Sequence, residues 1–174
     1  MDEQTGEQKQ LLSRFLDTVG DGSGTKNANG DYSGAVEEFK IVPAAGQIFR
    51  IRRLVVMIED TVSVSAGNYG GISALTNGVE IKVKDDSDTL INLTDDVPVK
   101  ANAHWGRFCY DVLFTSFGAG NNFVGVRWTF GKHGQQIRLI GDDSEYLSVD
   151  LNDDLTGLVS HYFMAQGYIE NTNQ

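Results

Sequence analysis

The sequence is poor in cysteine and proline and contains no long apolar run. A single cysteine, Cys109, excludes an intrachain disulfide and any zinc site built from cysteines. Because Cys109 lies in a strand-like run, we expect a buried thiol and not a nucleophile. No apolar stretch approaches the roughly 20 residues that a membrane-spanning helix needs, and no signal-peptide pattern begins the chain. These absences predict a protein that is made in a cytosol.

Positive charge is also scarce. The 174 residues include 14 Lys and Arg against 24 Asp and Glu, which gives a formal net charge of −10. A nucleic-acid surface needs clustered basic side chains to neutralise phosphates, and attachment to an anionic membrane needs them too. We therefore expect neither a nucleic-acid partner nor a membrane partner.

Recognised catalytic signatures are missing as well. The sequence has no nucleophile elbow, phosphate-binding loop or zinc-protease motif. Its three histidines, His104, His133 and His161, are far apart and lie in no known motif. His161 alternates in phase with Val159 and Phe163, which is typical of a core or interface residue. The sequence thus predicts a non-enzymatic protein with no catalytic residue and no cofactor.

The sequence is rich in the apolar residues that form β-strands and in the glycines that form tight turns. Hydrophobic residues make up 40%, and 20 Gly stand against two Pro. Strand-like runs occur at residues 39–42, 48–58, 79–84, 90–93, 108–115, 123–130, 136–140, 146–151 and 158–169. They predict an all-β fold, a two-sheet antiparallel sandwich that is most simply a jelly roll. An immunoglobulin-type sandwich is the alternative, although it has fewer and more evenly spaced strands.

The stretch from Ile48 to Ile58 is the predicted central strand. Phe49 and Ile51 share one face, but the apolar set after Arg53 has the opposite parity. Because side chains alternate with a period of two along a strand, a one-residue β-bulge near residues 52–53 would restore a single buried face.

The first 31 residues differ from the rest, and we expect an N-terminal arm at 1–31 followed by a sandwich domain at 32–174. Residues 4–16 have the pattern of a weak amphipathic helix, so the arm is expected to be extended or partly helical. Residues 20–31 are almost free of apolar side chains and read as a loop. An arm that docks on a neighbouring subunit and a frayed terminus remain alternatives.

Acidic residues raise the question of a metal site. A calcium loop that begins at Asp17 has Asp21 and Gly22 in place, but Val19 and Ala28 occupy two essential ligand positions. Acidic pairs recur at residues 85–86, 95–96, 142–143 and 153–154, and loops meeting at one rim could hold Ca²⁺. Since Asp is a good turn former, the sequence favours a structural role and predicts no metal.

Aromatic residues in loop-like segments offer a different function. Tyr32, Tyr69, Trp105 and Phe117 could form a platform on which sugar rings stack, or could lie at subunit interfaces.

Five segments carry a resemblance to a known class of protein: residues 15–31, 39–51, 74–78, 126–130 and 151–154. Together they resemble small structural proteins of tailed-bacteriophage particles, such as capsid decoration (cement) proteins and related head or tail accessory proteins. The resemblance implies a β-sandwich of the virion that forms a homo-oligomer, often a trimer. It also implies attachment to other virion proteins, such as the major capsid protein, without catalysis.

The predicted function is therefore a virion structural protein that decorates or cements a capsid. The alternative is a glycan-binding module of a phage tail or receptor-binding apparatus. The side chains expected at the interface are Leu11, Leu12, Phe15, Leu16, Tyr32 and Trp105.

Overall fold

The computed structural model describes most of the chain. The described residues are 9–24, 32–33, 36–59, 69, 71–72, 75–94, 112–114, 124–129, 134–158 and 160–172. Of residues 59, 112–114, 124–128 and 160 only the backbone is described.

Ten strands make up the described part of the fold. They are β1 (Gln10–Phe15), β2 (Glu37–Ile41), β3 (Gln47–Glu59), β4 (Val79–Lys84), β5 (Thr89–Asn92), β6 (Val112–Phe114), β7 (Val124–Thr129), β8 (Ile137–Ile140), β9 (Tyr146–Leu151) and β10 (Ser160–Asn171). A single 3-10 turn at Gly141–Asp143 joins β8 to β9. No α-helix occurs among these residues, and none of them forms a helix capable of crossing a membrane.

The strands form two antiparallel sheets in jelly-roll order. One sheet contains the order β1-β10-β3-β8, and the other is β2-β9-β4-β5. Successive strands lie in alternate sheets from β1 to β4 and again from β8 to β10. This order confirms the predicted sandwich and differs from the immunoglobulin arrangement. The β6–β7 hairpin adds two strands beside the second half of β3, so the larger sheet has six strands.

β3 carries the predicted bulge, at Arg52. Along β10, Gln166 pairs with Arg53 and the next residue, Gly167, pairs with Ile51, so Arg52 has no partner. β3 also changes its other neighbour there, because Ile51 pairs with β8 and Arg53 pairs with β7. The bulge restores one buried face along the strand, made of Phe49, Ile51, Leu54, Val56 and Ile58.

The helix expected over residues 4–16 is wrong for residues 10–15, which form β1. This strand pairs along its whole length with β10. Leu12 and Leu16 are buried in the sandwich core, and a spacing of four residues places two side chains on one face of a helix or of a strand alike. β1 therefore belongs to the sandwich. The arm is predicted over residues 1–31, and of these residues 1–8 and 25–31 lie outside the described residues.

A glycine is required opposite the bulge. A Cβ atom added to Gly167 would lie 1.9 Å from the carbonyl oxygen of Arg50, which is backbone and has little freedom to move. We expect Gly167→Ala to lower the free energy of unfolding by about 3 kcal/mol, as overpacking of a well-ordered core does. Urea unfolding followed by far-UV circular dichroism measures the change.

Gly71→Ala is the matched control for Gly167→Ala. The nearest atom to its added Cβ is the Thr156 carbonyl oxygen at 3.5 Å, an ordinary contact. We expect a change within about 0.5 kcal/mol. Equal stability of the two variants would contradict the prediction, because it would show that the backbones of β3 and β10 move apart at the bulge without loss of stability.

Candidate functional site

The acidic residues of the first loop hold its backbone. Asp17 is fully buried, and its carboxylate accepts hydrogen bonds from the backbone N–H groups of Gly20 and Gly24. Asp21 accepts one from the N–H of Ser23 at 2.8 Å. These carboxylates satisfy loop donors that would otherwise lack partners, which is the structural role that Asp plays in turns.

The described acidic pairs hold turns in the same way. Asp153 is 8% exposed and accepts bonds from three successive N–H groups, those of Thr76, Asn77 and Gly78. Asp85 accepts two bonds within its own turn, and Asp142 accepts one from Gly46. Residues 95–96 lie outside the described residues. In the part of the chain that the structure describes, no group of three or more His, Cys, Asp or Glu side chains could hold a metal ion.

Two of the acidic loops lie at the same end of the sandwich. Lys84 pairs with Tyr146 at the ends of β4 and β9, so the turns at residues 85–88 and 141–145 are neighbours. The two turns contain five Asp residues, of which Asp86, Asp88, Asp142 and Asp143 are exposed.

Tyr32 and His161 belong to a cluster of rings in the core. The ring of His161 lies 4.6 Å from that of Phe39 and 4.8 Å from that of Phe163, and the Tyr32 ring stacks on Phe39 at 6.1 Å. Burial raises the pKa of Tyr32, whose hydroxyl stays protonated and forms a hydrogen bond with Nδ1 of His161. Burial also lowers the pKa of His161 to about 4, which keeps the ring neutral at pH 7. His161 is thus the core residue that the sequence predicts.

Apart from Tyr32, the residues predicted to lie at the interface are found partly in the core and partly on the surface. Leu12 and Leu16 pack in the core of their own sandwich, whereas Leu11 is 78% exposed and Phe15 is partly exposed. Trp105 lies outside the described residues. Leu11 and Phe15 are therefore the members of this set with surface to offer a partner.

One of the four aromatic residues predicted to form a sugar-binding platform is not available to a ligand. Tyr69 is fully buried, so the expectation that it is exposed in a loop is wrong. Tyr32 packs against Phe39 and His161, while Phe117 and Trp105 lie outside the described residues.

The outer face of the six-stranded sheet carries a group of apolar side chains, which we call the apolar patch. Its members share the strand face opposite the core, and all are partly exposed: Phe15, Val55, Met57, Tyr162 and Met164. The Phe15 ring meets the Tyr162 ring edge-on at 5.0 Å, and the Tyr162 hydroxyl donates to the sulfur of Met164 at 3.3 Å. The outer face of an antiparallel sheet is usually polar when only water contacts it. An apolar patch on this face therefore indicates a surface that binds a partner.

Beside the apolar patch lies an arginine band, defined as Arg50, Arg52, Arg53 and Arg138. These are four of the seven arginines of the chain. Arg50 and Arg138 are paired across β3 and β8, and the bulge exposes Arg52 and Arg53 together. Arg52, Arg53 and the neighbouring Thr129, Gln166 and Gly167 line a cavity of about 280 Å³, which we call the notch.

Three of the four arginines in the arginine band have no carboxylate partner among the described residues. Arg50 pairs with Glu170 at 2.9 Å, and Arg53 donates to the side-chain oxygen of Gln166 at 3.3 Å. Among the described residues, no carboxylate pairs with Arg52, Arg53 or Arg138. The band is therefore a cationic surface on an acidic protein.

The outer face of the four-stranded sheet shows the opposite condition. Lys82 and Lys84 both contact the carboxylate of the buried Asp150, at 3.3 and 3.2 Å, and each also pairs with a glutamate. Burial disfavours the charged amine of Lys82, but its bonds to Glu80 and Asp150 outweigh this and raise its pKa. Since these lysines are neutralised within the chain, the arginine band is the better candidate for binding.

The buried histidine makes stability depend on pH. Its pKa is about 4 in the folded chain and near 6.5 when unfolded, so the unfolded state binds more protons between these values. We expect His161 to cost the folded state up to about 3 kcal/mol as pH falls from 6.5 to 4. Urea unfolding of the natural chain and of His161→Gln across pH 4–8 measures this loss. The variant should lack it, and parallel curves for the two proteins would contradict the assignment.

No protein-family model matches the chain, and no curated protein matches it either. What the protein does is therefore inferred from its fold and from the outer face of the six-stranded sheet.

Proposed function

We propose that this protein is a non-enzymatic structural protein of a tailed-phage particle. It assembles with copies of itself and with other virion proteins, such as the major capsid protein, through the outer face of its six-stranded sheet. The observation that carries the proposal is the apolar patch on that face.

The apolar patch supports a protein partner because of where its members lie. Phe15, Met164 and Val55 are opposite one another across three adjacent strands, and Tyr162 is opposite Met57 in the next row. Single exposed apolar side chains are ordinary, but a contiguous group on an outer sheet face is typical of an interaction surface. The buried core already contains its own apolar residues, so the patch is not needed to close the sandwich.

The composition of the whole face fits a protein partner as well. Aromatic, methionine and arginine side chains are enriched at protein interfaces, and this face combines the apolar patch with the arginine band. The regular extended strands hold these side chains at fixed spacings, which lowers the cost of ordering them on binding. A shell protein needs such a rigid contact face, and many weak contacts of this kind add up across a particle.

Placing a charge in the apolar patch tests the proposal. We expect Val55→Glu to weaken self-association about tenfold or more, because a carboxylate would be desolvated in an apolar interface. Sedimentation equilibrium over a range of protein concentrations measures the association constant.

Val36→Glu is the matched control, since Val36 is 61% exposed outside the patch and the charge change is identical. It should associate as the natural chain does, and circular dichroism should show both variants folded. Equal association of the two variants would remove the patch from the interface.

A further inference from the structure

We propose that the notch on one copy of the chain binds the acidic β4–β5 hairpin of a second copy. This inference rests on the proposed function, because it names the two surfaces through which the copies would meet. The contact joins two different parts of the molecule.

The notch is built to receive a carboxylate. Arg52 and Arg53 are adjacent in sequence and would point to opposite faces of a regular strand, but the bulge leaves both exposed. Their guanidinium groups offer several N–H donors in planar forks, which match the geometry of carboxylate oxygens. Gln166 and Thr129 also line the notch, which is a shallow, open depression with a volume of about 280 Å³.

The β4–β5 hairpin has the complementary charge. Its turn spans residues 85–88, and Asp85 stabilises the turn by accepting the N–H groups of Ser87 and Asp88 at 2.8 and 2.7 Å. The exposed carboxylates of Asp86 and Asp88 are therefore displayed on an ordered turn at the end of the sandwich. Negative charge on an ordered turn is complementary to a cationic surface.

The strand that follows the turn adds apolar complementarity. Leu90 is 48% exposed and Ile91 is 37% exposed, on the edge strand of the four-stranded sheet. An edge strand with exposed apolar side chains promotes association unless a partner covers it. On the receiving face, Val55 of the apolar patch lies two residues from Arg53. Acidic and apolar groups of the hairpin thus meet basic and apolar groups of the face.

The hairpin of the same chain is not the partner of the notch. Arg53 and Gln166 lie on the strand face opposite to the core residues Leu54 and Ala165, so the notch points away from the four-stranded sheet that contains the hairpin. No residue of β4 or β5 lines it. A second copy can present its hairpin to the notch. Two copies that make this contact reciprocally form a dimer, and copies that make it head to tail form a ring or a filament.

Charge reversal on each surface tests the contact. One variant carries Arg52→Glu with Arg53→Glu, and the other carries Asp86→Lys with Asp88→Lys, which leaves Asp85 to hold the turn. Each places like charges opposite one another, so we expect each to weaken self-association about tenfold or more. A third variant combines all four substitutions. It keeps the formal net charge of −10 and should associate again, because the two reversed surfaces are complementary.

Sedimentation equilibrium on the three variants and the natural chain separates the outcomes. Weaker association of both double variants with recovery in the combined variant supports the contact. If the natural chain is an oligomer and the double variants keep its mass, the contact is wrong while the proposed function stands. Failure of the combined variant to recover, with circular dichroism showing it folded, also overturns the contact.

Two further results would overturn the inference in distinguishable ways. A natural chain that stays monomeric at every concentration would remove both the contact and self-assembly as a function. Binding of poly-glutamate that is lost in Arg52→Gln with Arg53→Gln, while self-association is unchanged, would assign the notch to a foreign acidic partner.

Discussion

The bulge at Arg52 is the constraint on which the rest of the structure depends. A strand presents alternate residues to the core, and the apolar residues of β3 change parity between Ile51 and Leu54. Without an extra residue, one half of β3 would turn its apolar side chains towards solvent. The bulge keeps both halves buried, and it coincides with the point where β3 exchanges β8 for β7 as its neighbour. One extra residue thus keeps the apolar side chains of β3 buried on both sides of the point where its neighbouring strand changes.

The same residue creates the surface to which we assign the function. Because Arg52 is unpaired with β10, it and Arg53 are both exposed, and Gly167 brings the backbones together opposite them. The apolar patch continues along the same strands beyond the notch. Core packing and interaction surface are therefore consequences of one irregularity, which is consistent with bulges marking sites that redirect side chains.

Much of the fold could be predicted from the sequence because the alternation of apolar side chains is strong. The parity change in β3 predicted the bulge, and the phase of His161 with Phe163 predicted a core histidine. β1 was missed, since Leu12 and Leu16 are spaced by four residues and satisfy a helix as well as a strand. The candidate surface was missed for a different reason. Val55, Met57 and Met164 are ordinary strand residues in sequence, and only the pairing of three strands brings them together.

We propose that this face holds copies of the chain together, and light scattering of the natural chain at decreasing concentrations tests this. We expect a mass several times the 19.1 kDa of one chain, falling as the protein is diluted. A mass of one chain at every concentration would contradict it.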